Sequence, residues 1–459
     1  MLHQIYLTYL FEPMKKFFLL LILLVFGTKI RAQPYFFPLK ISDNKRFITD
    51  SQGMPFLYVS DAAWQLFVGL PLPEVREYFA MRKKQGFSVI HVQLTYVPLA
   101  GAENLAGQLP FENFDFAKPN EQYFQHIDQV VALADSFNLV MAMTPLWYSC
   151  CNDGWGSNPV KYMKNNGLEK CAGFGRFIGT RYGKFGNVIW IIGGDNDPHE
   201  NRAEVQALAE GIKAAAPQHL LTYHAASTHS STDVWGQETW LDFSMIYTYF
   251  RGFLKAWNTV QPDVYESAYT EYQKKRMPFV LGESAYEGEH NEGYGSSLQA
   301  RKQAYYTMLA GGCGHSYGSR FWAVAENKAR GGEDWRKTVD QPAANSLIHL
   351  NRLFATFAWP TLVPDQASAL IVGGPNPFAA NDYALAAYTQ DRTLALAYIP
   401  SGRKLTFNLG ILRGAKVVAS WYNPRNGEKK EIGQFATNQP VTLVTPDEND
   451  WVLHLVSKK

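Results

Sequence analysis

The sequence predicts an α/β protein: a (β/α)8 TIM barrel followed by a small antiparallel β-sandwich. From residue 55 to about residue 356, short apolar runs rich in β-branched residues alternate with longer segments of helical spacing. That alternation is typical of a parallel barrel. From residue 359 onward the segments are short, alternate in polarity and are separated by turn residues, as in antiparallel sheets.

The first predicted element is a hairpin over residues 36–53, which contains two groups of turn-forming residues and caps the barrel. Eight barrel strands are predicted, of which the fourth is an unbroken apolar run, as expected for a strand buried on both faces. They are Pro55–Asp61, Ser88–Leu94, Leu139–Thr144, the stretch Asn187–Asp197, Leu220–His224, Phe243–Tyr247, Phe279–Glu283 and the glycine-rich Gly311–Gly318.

The predicted helices alternate with these strands, and the first has helical spacing with Pro near its start and Gly86 just past its end. They are Pro73–Lys84, Glu121–Phe137, Leu168–Tyr182, Arg202–Ala215, Val264–Lys275, Leu298–Leu309 and Ala343–Thr356. A doubly wound open sheet is the alternative fold. The absence of a glycine-rich phosphate loop after the first strand counts against its nucleotide-binding versions.

Sandwich strands are predicted at Tyr383–Tyr388, Leu394–Tyr398 and Val417–Tyr422. The domain boundaries follow: a signal peptide over residues 1–32, the barrel with its hairpin over residues 33–358, and the sandwich over residues 359–459. The sandwich has no cluster of aromatic platforms, so we expect it to support the barrel rather than to bind a ligand.

The first 32 residues are typical of a secretory signal peptide. A short basic region at Met14–Lys16 precedes an apolar run, Phe17–Phe26, that is too short to span a bilayer comfortably. Arg31–Gln33 offers a cleavage point, and translation is expected to start at Met14. No cysteine follows the apolar run, so we predict a secreted or periplasmic protein without a stable membrane anchor.

Composition and cysteine pattern exclude some partners. The net charge is +2 with 18% charged residues, which provides no positive field for nucleic acid. The spacing of Cys150, Cys151, Cys171 and Cys313 matches no metal motif. A bridge from Cys150 or Cys151 to Cys171 and four free buried thiols both remain open.

Two predicted strands end in a carboxylate. The fourth runs into Gly193, Gly194 and Asp195, and the seventh ends at Glu283. Because the carboxyl ends of barrel strands carry the chemistry of this fold, we predict Asp195 and Glu283 as a catalytic pair for glycosidic bond cleavage. The alternative is that both acids cap strand ends. Asp197 is the rival of Asp195.

Five strand-end motifs together resemble glycoside hydrolase family 140, the apiosidase-like family with a clan A barrel. They are Gly193–Asp195, Ser60–Trp64, Thr222–His224, Gly282–Ser284 and Gly314–Gly318. Most of clan A has Asn-Glu after the fourth strand, so Gly194-Asp195 is a departure. The tail resembles the small sandwich labelled a collagen-binding domain.

The resemblance implies a retaining hydrolase of pectic glycosides, with apiose in rhamnogalacturonan II as the characterised target. It implies Asp195 as acid/base and Glu283 as nucleophile, with no cofactor. It also suggests that Tyr247 hydrogen-bonds Glu283, with Tyr249 as its rival.

Other candidates lie at the same strand ends. Asp61 and Trp64 are predicted to bind a sugar, against the alternatives of a helix cap and a core Trp. His224 is predicted to contact the sugar or to orient Asp195, against a structural role. The remaining candidates are pocket-wall or stacking residues: Trp147, Tyr148, His315, Tyr317 and Trp322. Glu287, Glu289 and Glu292 are interpreted as rim or solvent-facing.

The expected partner is therefore an oligosaccharide or polysaccharide, with no metal. The alternative function is a non-catalytic carbohydrate- or matrix-binding protein on a barrel scaffold. A collagen peptidase is disfavoured because the chain has neither a His-Glu-x-x-His motif nor a Gly-x-Ser-x-Gly motif. Sugar, linkage, endo or exo action and oligomeric state are left open by the sequence.

Overall fold

The computed structural model describes residues 34–95, 103–148, 158–251, 253, 261–289 and 295–458. Phe36–Lys459 forms one compact unit. The predicted signal peptide, Cys150, Cys151 and Glu292 lie outside the described residues. Cys171 and Cys313 are buried free thiols.

The chain begins with a three-stranded antiparallel sheet, not a two-stranded hairpin. Its strands are β1 (Lys40–Ile41), β2 (Ile48–Thr49) and β3 (Pro55–Phe56). The predicted first barrel strand is therefore divided. Its first two residues pair with β2, and the barrel strand begins at Tyr58.

Eight parallel strands form the barrel, which confirms the predicted fold. They are β4 (Tyr58–Ala62), β5 (Val89–Gln93), β6 (Val140–Thr144), β7 (Val188–Gly193), β8 (Leu221–His224), β9 (Ser244–Tyr247), β10 (Phe279–Glu283) and β11 (Gly314–Tyr317). Hydrogen bonds join β11-β4-β5-β6-β7-β8 and β9-β10. Contacts of β8 with β9 and of β10 with β11 close the ring.

Helices and short helical turns connect and follow the strands. They are α1 (Leu66–Gly69), α2 (Leu72–Lys84), α3 (Glu121–Ser136), α4 (Asn158–Tyr182), α5 (Arg202–Ala215), α6 (Ser231–Val234), α7 (Val264–Lys274), α8 (Ser297–Leu309), α9 (Val324–Ala329), α10 (Trp335–Val339) and α11 (Pro342–Phe354). Helix α4 starts before the predicted Leu168 and is interrupted at Gly167, whose φ is +69°. The four- to six-residue helices were not predicted, since one turn leaves little periodicity in a sequence.

The main core lies between the strands and the helices. Trp190 of β7, for example, is completely buried there against Tyr182 of α4. Helix α8 is buried from Gln299 to its end because it lies between the barrel and the sandwich. Its amphipathic pattern is correspondingly weak.

The C-terminal part is a sandwich of two antiparallel sheets. Its strands are β12 (Leu362–Pro364), β13 (Ile371–Gly373), β14 (Leu385–Thr389), β15 (Leu394–Ile399), β16 (Lys404–Phe407), β17 (Lys416–Tyr422), β18 (Lys429–Ala436), β19 (Val441–Val444) and β20 (Trp451–Lys458). The sheet orders are β12-β14-β15-β20-β17-β18 and β13-β16-β19.

The sandwich packs on the barrel through α8. The guanidinium of Arg301 donates two hydrogen bonds of 2.9 Å to the Asp450 carboxylate, and the Tyr305 ring stacks on Tyr398 at 4.8 Å. Within the part of the chain that the structure describes, no helix combines the length and the apolarity needed to cross a lipid bilayer.

Candidate active site

Asp195 is presented by a tight turn at the end of β7. Gly193, Gly194 and Asp195 have φ values of +88°, +134° and +54°, so the chain leaves the strand in the left-handed region. A Cβ on Gly194 would come within 2.6 Å of the Trp147 ring, so a side chain there is excluded by space as well as by backbone strain. Asp tolerates the left-handed conformation better than most residues.

Glu283 is turned into the barrel by a bulge in β10. Leu281 pairs with Ile246 and belongs to the core between strands and helices. Strict alternation would send Glu283 to that same side. The register shifts between Leu281 and Glu283, and Glu283 pairs with Tyr247 instead. The extra residue, Gly282, therefore re-aims the carboxylate.

The two acids and His224 meet at the carboxyl ends of the strands. One carboxylate oxygen each of Asp195 and Glu283 and a ring nitrogen of His224 all lie within 4.8 Å of one another. Retaining glycosidases hold their carboxyl groups about 5–5.5 Å apart, and inverting enzymes about 6.5–9.5 Å apart. The observed proximity fits the retaining arrangement.

His224 connects the two acids. Its Nδ1 accepts the backbone N–H of Asp195 at 3.2 Å, and its Nε2 lies 3.0 Å from Glu283 Oε2. Burial lowers the pKa of His224. A neutral ring that accepts at Nδ1 carries its proton on Nε2, so His224 donates to Glu283. Nδ1 also lies 3.2 Å from the Ala225 carbonyl oxygen, which a protonated ring would use instead.

A second donor to Glu283 was missed by the sequence analysis. Tyr286, in the loop after β10, hydrogen-bonds Glu283, which acts to lower the pKa of that carboxyl. The Tyr286 hydroxyl itself accepts from Trp64 Nε1 at 2.8 Å, which leaves its proton for Glu283. Trp64 is only 3% exposed, so it positions Tyr286 rather than offering an open stacking surface.

Tyr247 has a different partner from the one expected. Its described side-chain hydrogen bonds go to Asp195 and to the Tyr249 hydroxyl, at 3.0 Å for the latter. Tyr286 takes the place beside Glu283 that the resemblance had suggested for Tyr247. Each acid thus has its own tyrosine.

Both carboxyls have raised pKa values. Burial first, and then repulsion from Glu283, raise the pKa of Asp195 to about 7. Burial, with the charge of Glu289, raises the pKa of Glu283 to about 8. Such close acids titrate as a pair, which shares one proton near neutral pH. Taken singly, the pKa values of about 7 for Asp195 and about 8 for Glu283 would put that proton on Glu283. We assign the charge to Glu283 instead, because His224 and Tyr286 both donate to it. Asp195 accepts from Tyr247, but its Oδ1 is buried with no hydrogen-bond partner among the described residues.

The same three side chains could also hold a metal ion, because each offers one ligand atom within the 4.8 Å cluster. Two carboxylates and one imidazole are a common ligand set for divalent metals. The hydrogen bond between His224 Nε2 and Glu283 would have to be given up for both atoms to coordinate.

Asp197, the rival acid, is bonded to other partners than this cluster. It accepts the Ala226 N–H at 3.1 Å, and its other oxygen lies 2.7 Å from His229 Nδ1.

The interpretation of Glu287 as rim or solvent-facing was wrong: it is buried and bonded by Tyr317 and the Ala343 N–H. Glu289 is half-buried and close enough to raise the pKa of both catalytic candidates.

Two of the predicted aromatic walls lie near the acids. The half-buried Trp147 ring lies against Gly194 and packs 4.7 Å from Trp64 and 5.3 Å from His224. The half-buried Trp322 donates its indole N–H to Glu289 at 2.9 Å. Trp147 is therefore the better placed of the two for a ring at Asp195.

Four other predicted site residues are turned away from the acids. Asp61 is fully buried and paired with Arg82 at 2.6 Å and with Tyr78, both on α2. In-register pairing places His315 beside Val59 and Tyr317 beside Asp61, so both share this helix-facing side of the sheet. Tyr148 is buried and donates to the Pro198 carbonyl. Asp61 therefore has neither of the predicted roles: it is not placed to bind a sugar, and it does not cap a helix.

A family model described as "Apiosidase-like, catalytic domain" matches residues 42–361. The chain belongs to this apiosidase-like family. A second model, "Putative collagen-binding domain of a collagenase", matches residues 363–456 of this apiosidase-like protein. A search of the curated proteins finds no match.

Two solved structures resemble the whole apiosidase-like chain. A glycoside hydrolase is 25% identical with a TM-score of 0.79, and the match covers 92% of this chain and 99% of the other. A glycoside hydrolase family 5 protein from Bacteroides vulgatus ATCC 8482 is 25% identical with a TM-score of 0.78, covering 93% and 96% respectively. The apiosidase-like protein is thus a glycoside hydrolase of the clan A type, and its two-carboxylate site fits retention.

Proposed function

We propose that this protein hydrolyses glycosides of plant cell-wall pectin, with Glu283 as nucleophile and Asp195 as acid/base. The single observation that carries the assignment of roles is the pair of carboxylates within 4.8 Å at the barrel mouth, with both donors placed on Glu283. Apiosides of rhamnogalacturonan II are the first substrates to test, because the family model that matches the barrel is apiosidase-like.

The proposed reaction has two steps. In the first, a Glu283 oxygen attacks the anomeric carbon while the Asp195 proton passes to the leaving oxygen, so the glycosidic bond breaks as the ester bond forms. In the second, Asp195 takes a proton from water, whose oxygen attacks the same carbon and displaces Glu283. Two displacements return the original anomeric configuration.

The two donors on Glu283 and the raised pKa of Asp195 support these roles. Asp195 is protonated at the start of the first step, which suits a buried carboxyl whose pKa is raised to about 7. Once Glu283 loses its charge in the ester, the repulsion that raises the pKa of Asp195 falls, so Asp195 can serve as the base for water. The same residue therefore acts as acid and then as base.

We also propose that the protein is exported. The support comes from the sequence alone: the basic region at Met14–Lys16, the apolar run Phe17–Phe26 and the cleavage point at Arg31–Gln33. N-terminal sequencing of the mature protein from its native host tests this. A mature chain that retains Phe17–Phe26 would contradict export with cleavage.

The function is tested by product analysis of the mature protein on pectic fractions, including rhamnogalacturonan II. We expect release of a mono- or oligosaccharide that stops when Glu283 is replaced by Gln. The matched control is Glu287→Gln, since Glu287 is a buried glutamate at the same loop without contact to the pair. Binding of pectic oligosaccharides without turnover, unchanged in Glu283→Gln, would favour the non-catalytic alternative instead.

A further inference from the structure

The last residue of β9, Tyr247, and the loop that follows it lie close to the catalytic acid. Tyr247 hydrogen-bonds Asp195, and its hydroxyl lies 3.0 Å from that of Tyr249, two residues further along the loop. Tyr249 is half-buried and also close enough to the two acids for their charges to raise its pKa. The position of this loop therefore determines the surroundings of Asp195.

The described residues of this loop contribute to a small apolar cluster. Phe250, Phe253 and Ala285 form a separate buried cluster, with Tyr249 packed against it. The Tyr249 ring stacks on Phe253 at 4.1 Å with an interplanar angle of 17°. Polar contacts next to this cluster add to its hold on the loop.

Arg251 supplies such contacts. Its Nη2 donates to both oxygens of Glu266 on α7, each at 2.9 Å, and its Nε donates to the Ala379 carbonyl at 3.1 Å. The backbone carbonyl of Arg251 in turn accepts from Asn381 Nδ2 at 3.0 Å. Arg251 thus joins the active-site loop to α7 on one side and to residues 379–381, which belong to the C-terminal part of the chain, on the other.

The segment 379–381 is itself held against the barrel. Lys302 of α8 donates to the Asn381 carbonyl at 2.8 Å, and the Tyr265 hydroxyl donates to the Ala380 carbonyl at 3.2 Å. Tyr306 of α8 donates to the Tyr383 carbonyl at 2.8 Å, just before β14. These hydrogen bonds hold residues 379–381 in place against the barrel.

We propose that Arg251 is a positioning residue that ties the loop after β9 to the segment 379–381, so that the C-terminal sandwich takes part in catalysis by holding Tyr249 against the Tyr247 hydroxyl that bonds Asp195. The sandwich is then more than a support for the barrel. This inference rests on the proposed role of Asp195 as the acid.

The planar guanidinium suits this place because its donors point in fixed directions and can serve a carboxylate and a carbonyl together. A lysine would keep the charge but could not make both contacts in the same way. Without the Arg251 guanidinium, the described part of the loop keeps its small apolar cluster but loses the contacts to Glu266 and Ala379. Tyr249 then loosens, and the Tyr247 hydroxyl that bonds Asp195 loses a fixed partner.

The test compares Arg251→Ala and Asn381→Ala, one from each side of the contact, with Arg251→Lys as the conservative variant. The matched control is Gln366→Ala, because Gln366 also bonds a barrel helix, at the Tyr269 carbonyl, but not the loop after β9. Amide hydrogen exchange of residues 247–253 is measured in each variant. Kinetics follow on two substrates, one with an activated aryl leaving group and one with a poor leaving group.

We expect faster exchange at residues 247–253 in both alanine variants but not in Gln366→Ala. We also expect kcat/KM on the poor leaving group to fall about tenfold more than on the activated one in Arg251→Ala, since only the former needs the Asp195 proton. Arg251→Lys should lie between wild type and Arg251→Ala.

Two results would overturn the proposal: unchanged exchange, or equal losses on both substrates that Gln366→Ala reproduces. The second would mean general destabilisation. The two proposals can fail separately. If the loss in Asp195→Ala did not depend on the leaving group, the proposed role of Asp195 would be wrong. Faster amide exchange in Arg251→Ala and Asn381→Ala would still support the contact between the loop and the sandwich.

Discussion

Replacing Tyr286 by Phe removes one hydroxyl from the network around the nucleophile. In the wild type this hydroxyl donates to Glu283 and accepts from Trp64 Nε1 at 2.8 Å. Both aromatic residues are buried, so water cannot readily replace the lost partner. The change isolates the contribution of one hydrogen bond to the charge on Glu283.

The magnitude follows from the charge on the acceptor. A hydrogen bond to a charged group contributes about 1.5–3 kcal/mol, which equals about 1–2 pKa units at about 1.36 kcal/mol per unit. The Tyr286 bond lowers the pKa of Glu283, so its loss raises that pKa further. Glu283 must be ionised to attack, so the acidic limb of kcat/KM moves to higher pH by about 1–2 units. The unpaired Trp64 N–H costs a further ~1–3 kcal/mol of stability.

The assay is kcat/KM against pH on an activated aryl glycoside, with unfolding in urea measured in parallel. Tyr317→Phe is the matched control, because Tyr317 is another buried tyrosine that donates to a glutamate, Glu287, at 2.7 Å but has no bond to the pair. It should lose stability and keep its pH profile. An acidic limb of Tyr286→Phe that coincides with the wild type would refute the reasoning.

Three further predictions concern the acids. Asp195→Ala should lower kcat/KM by about 10²–10⁴-fold on substrates with poor leaving groups and much less on activated aryl glycosides. Asp197→Ala should keep kcat/KM within a few-fold of wild type. A larger loss in Asp197→Ala than in Asp195→Ala would make Asp197 the acid/base instead. Asp61→Asn leaves Arg82 buried without its charge partner and should cost about 3–5 kcal/mol in urea unfolding, with kcat of the folded fraction unchanged. The carboxyl pair is active only when it carries one proton, so kcat/KM of the wild type should follow a bell-shaped pH profile with limbs near about 7 and about 8. Below and above these limbs, kcat/KM should fall tenfold per pH unit. A plateau from pH 4 to 6 would contradict the raised pKa values.

The catalytic candidates could be found from the sequence because their signals are local. An apolar run that ends in Gly193, Gly194 and Asp195 identifies both the strand and the end at which chemistry occurs. Strand β10 ends in an acid in the same way. The bulge at Gly282 that turns Glu283 inward left no such signal, so the sequence pointed to Glu283 without the reason for its orientation.

Asp61, His315 and Tyr317 were misassigned because buried parallel strands carry no polar and apolar alternation. In such a strand both faces are apolar, so the sequence does not show which residues face the barrel interior. Asp61 lies at the correct end of β4 but on the helix side, where Arg82 compensates its charge. Arg82 and Tyr78 on α2 were the features of the sequence that could have indicated a buried partner for Asp61.

Tyr286 was missed for a different reason. Its two bonds join Trp64, which is 222 residues away along the chain, and Glu283, which lies three residues before it. Such a contact depends on how two loops converge, and neither loop has a pattern that indicates its path. The clan resemblance pointed to Tyr247 instead, whose bonds go to Asp195 and Tyr249.

The central claim is that Glu283 forms a covalent bond to the sugar. The most direct measurement is mass spectrometry of peptides after incubation with an activated 2-fluoro glycoside of the sugar that product analysis identifies. Such probes slow the second step more than the first. We expect one adduct, on the peptide that contains Glu283, and no adduct in Glu283→Gln. An adduct on another residue, or none from a probe that is turned over with inversion of the anomeric carbon, would contradict it.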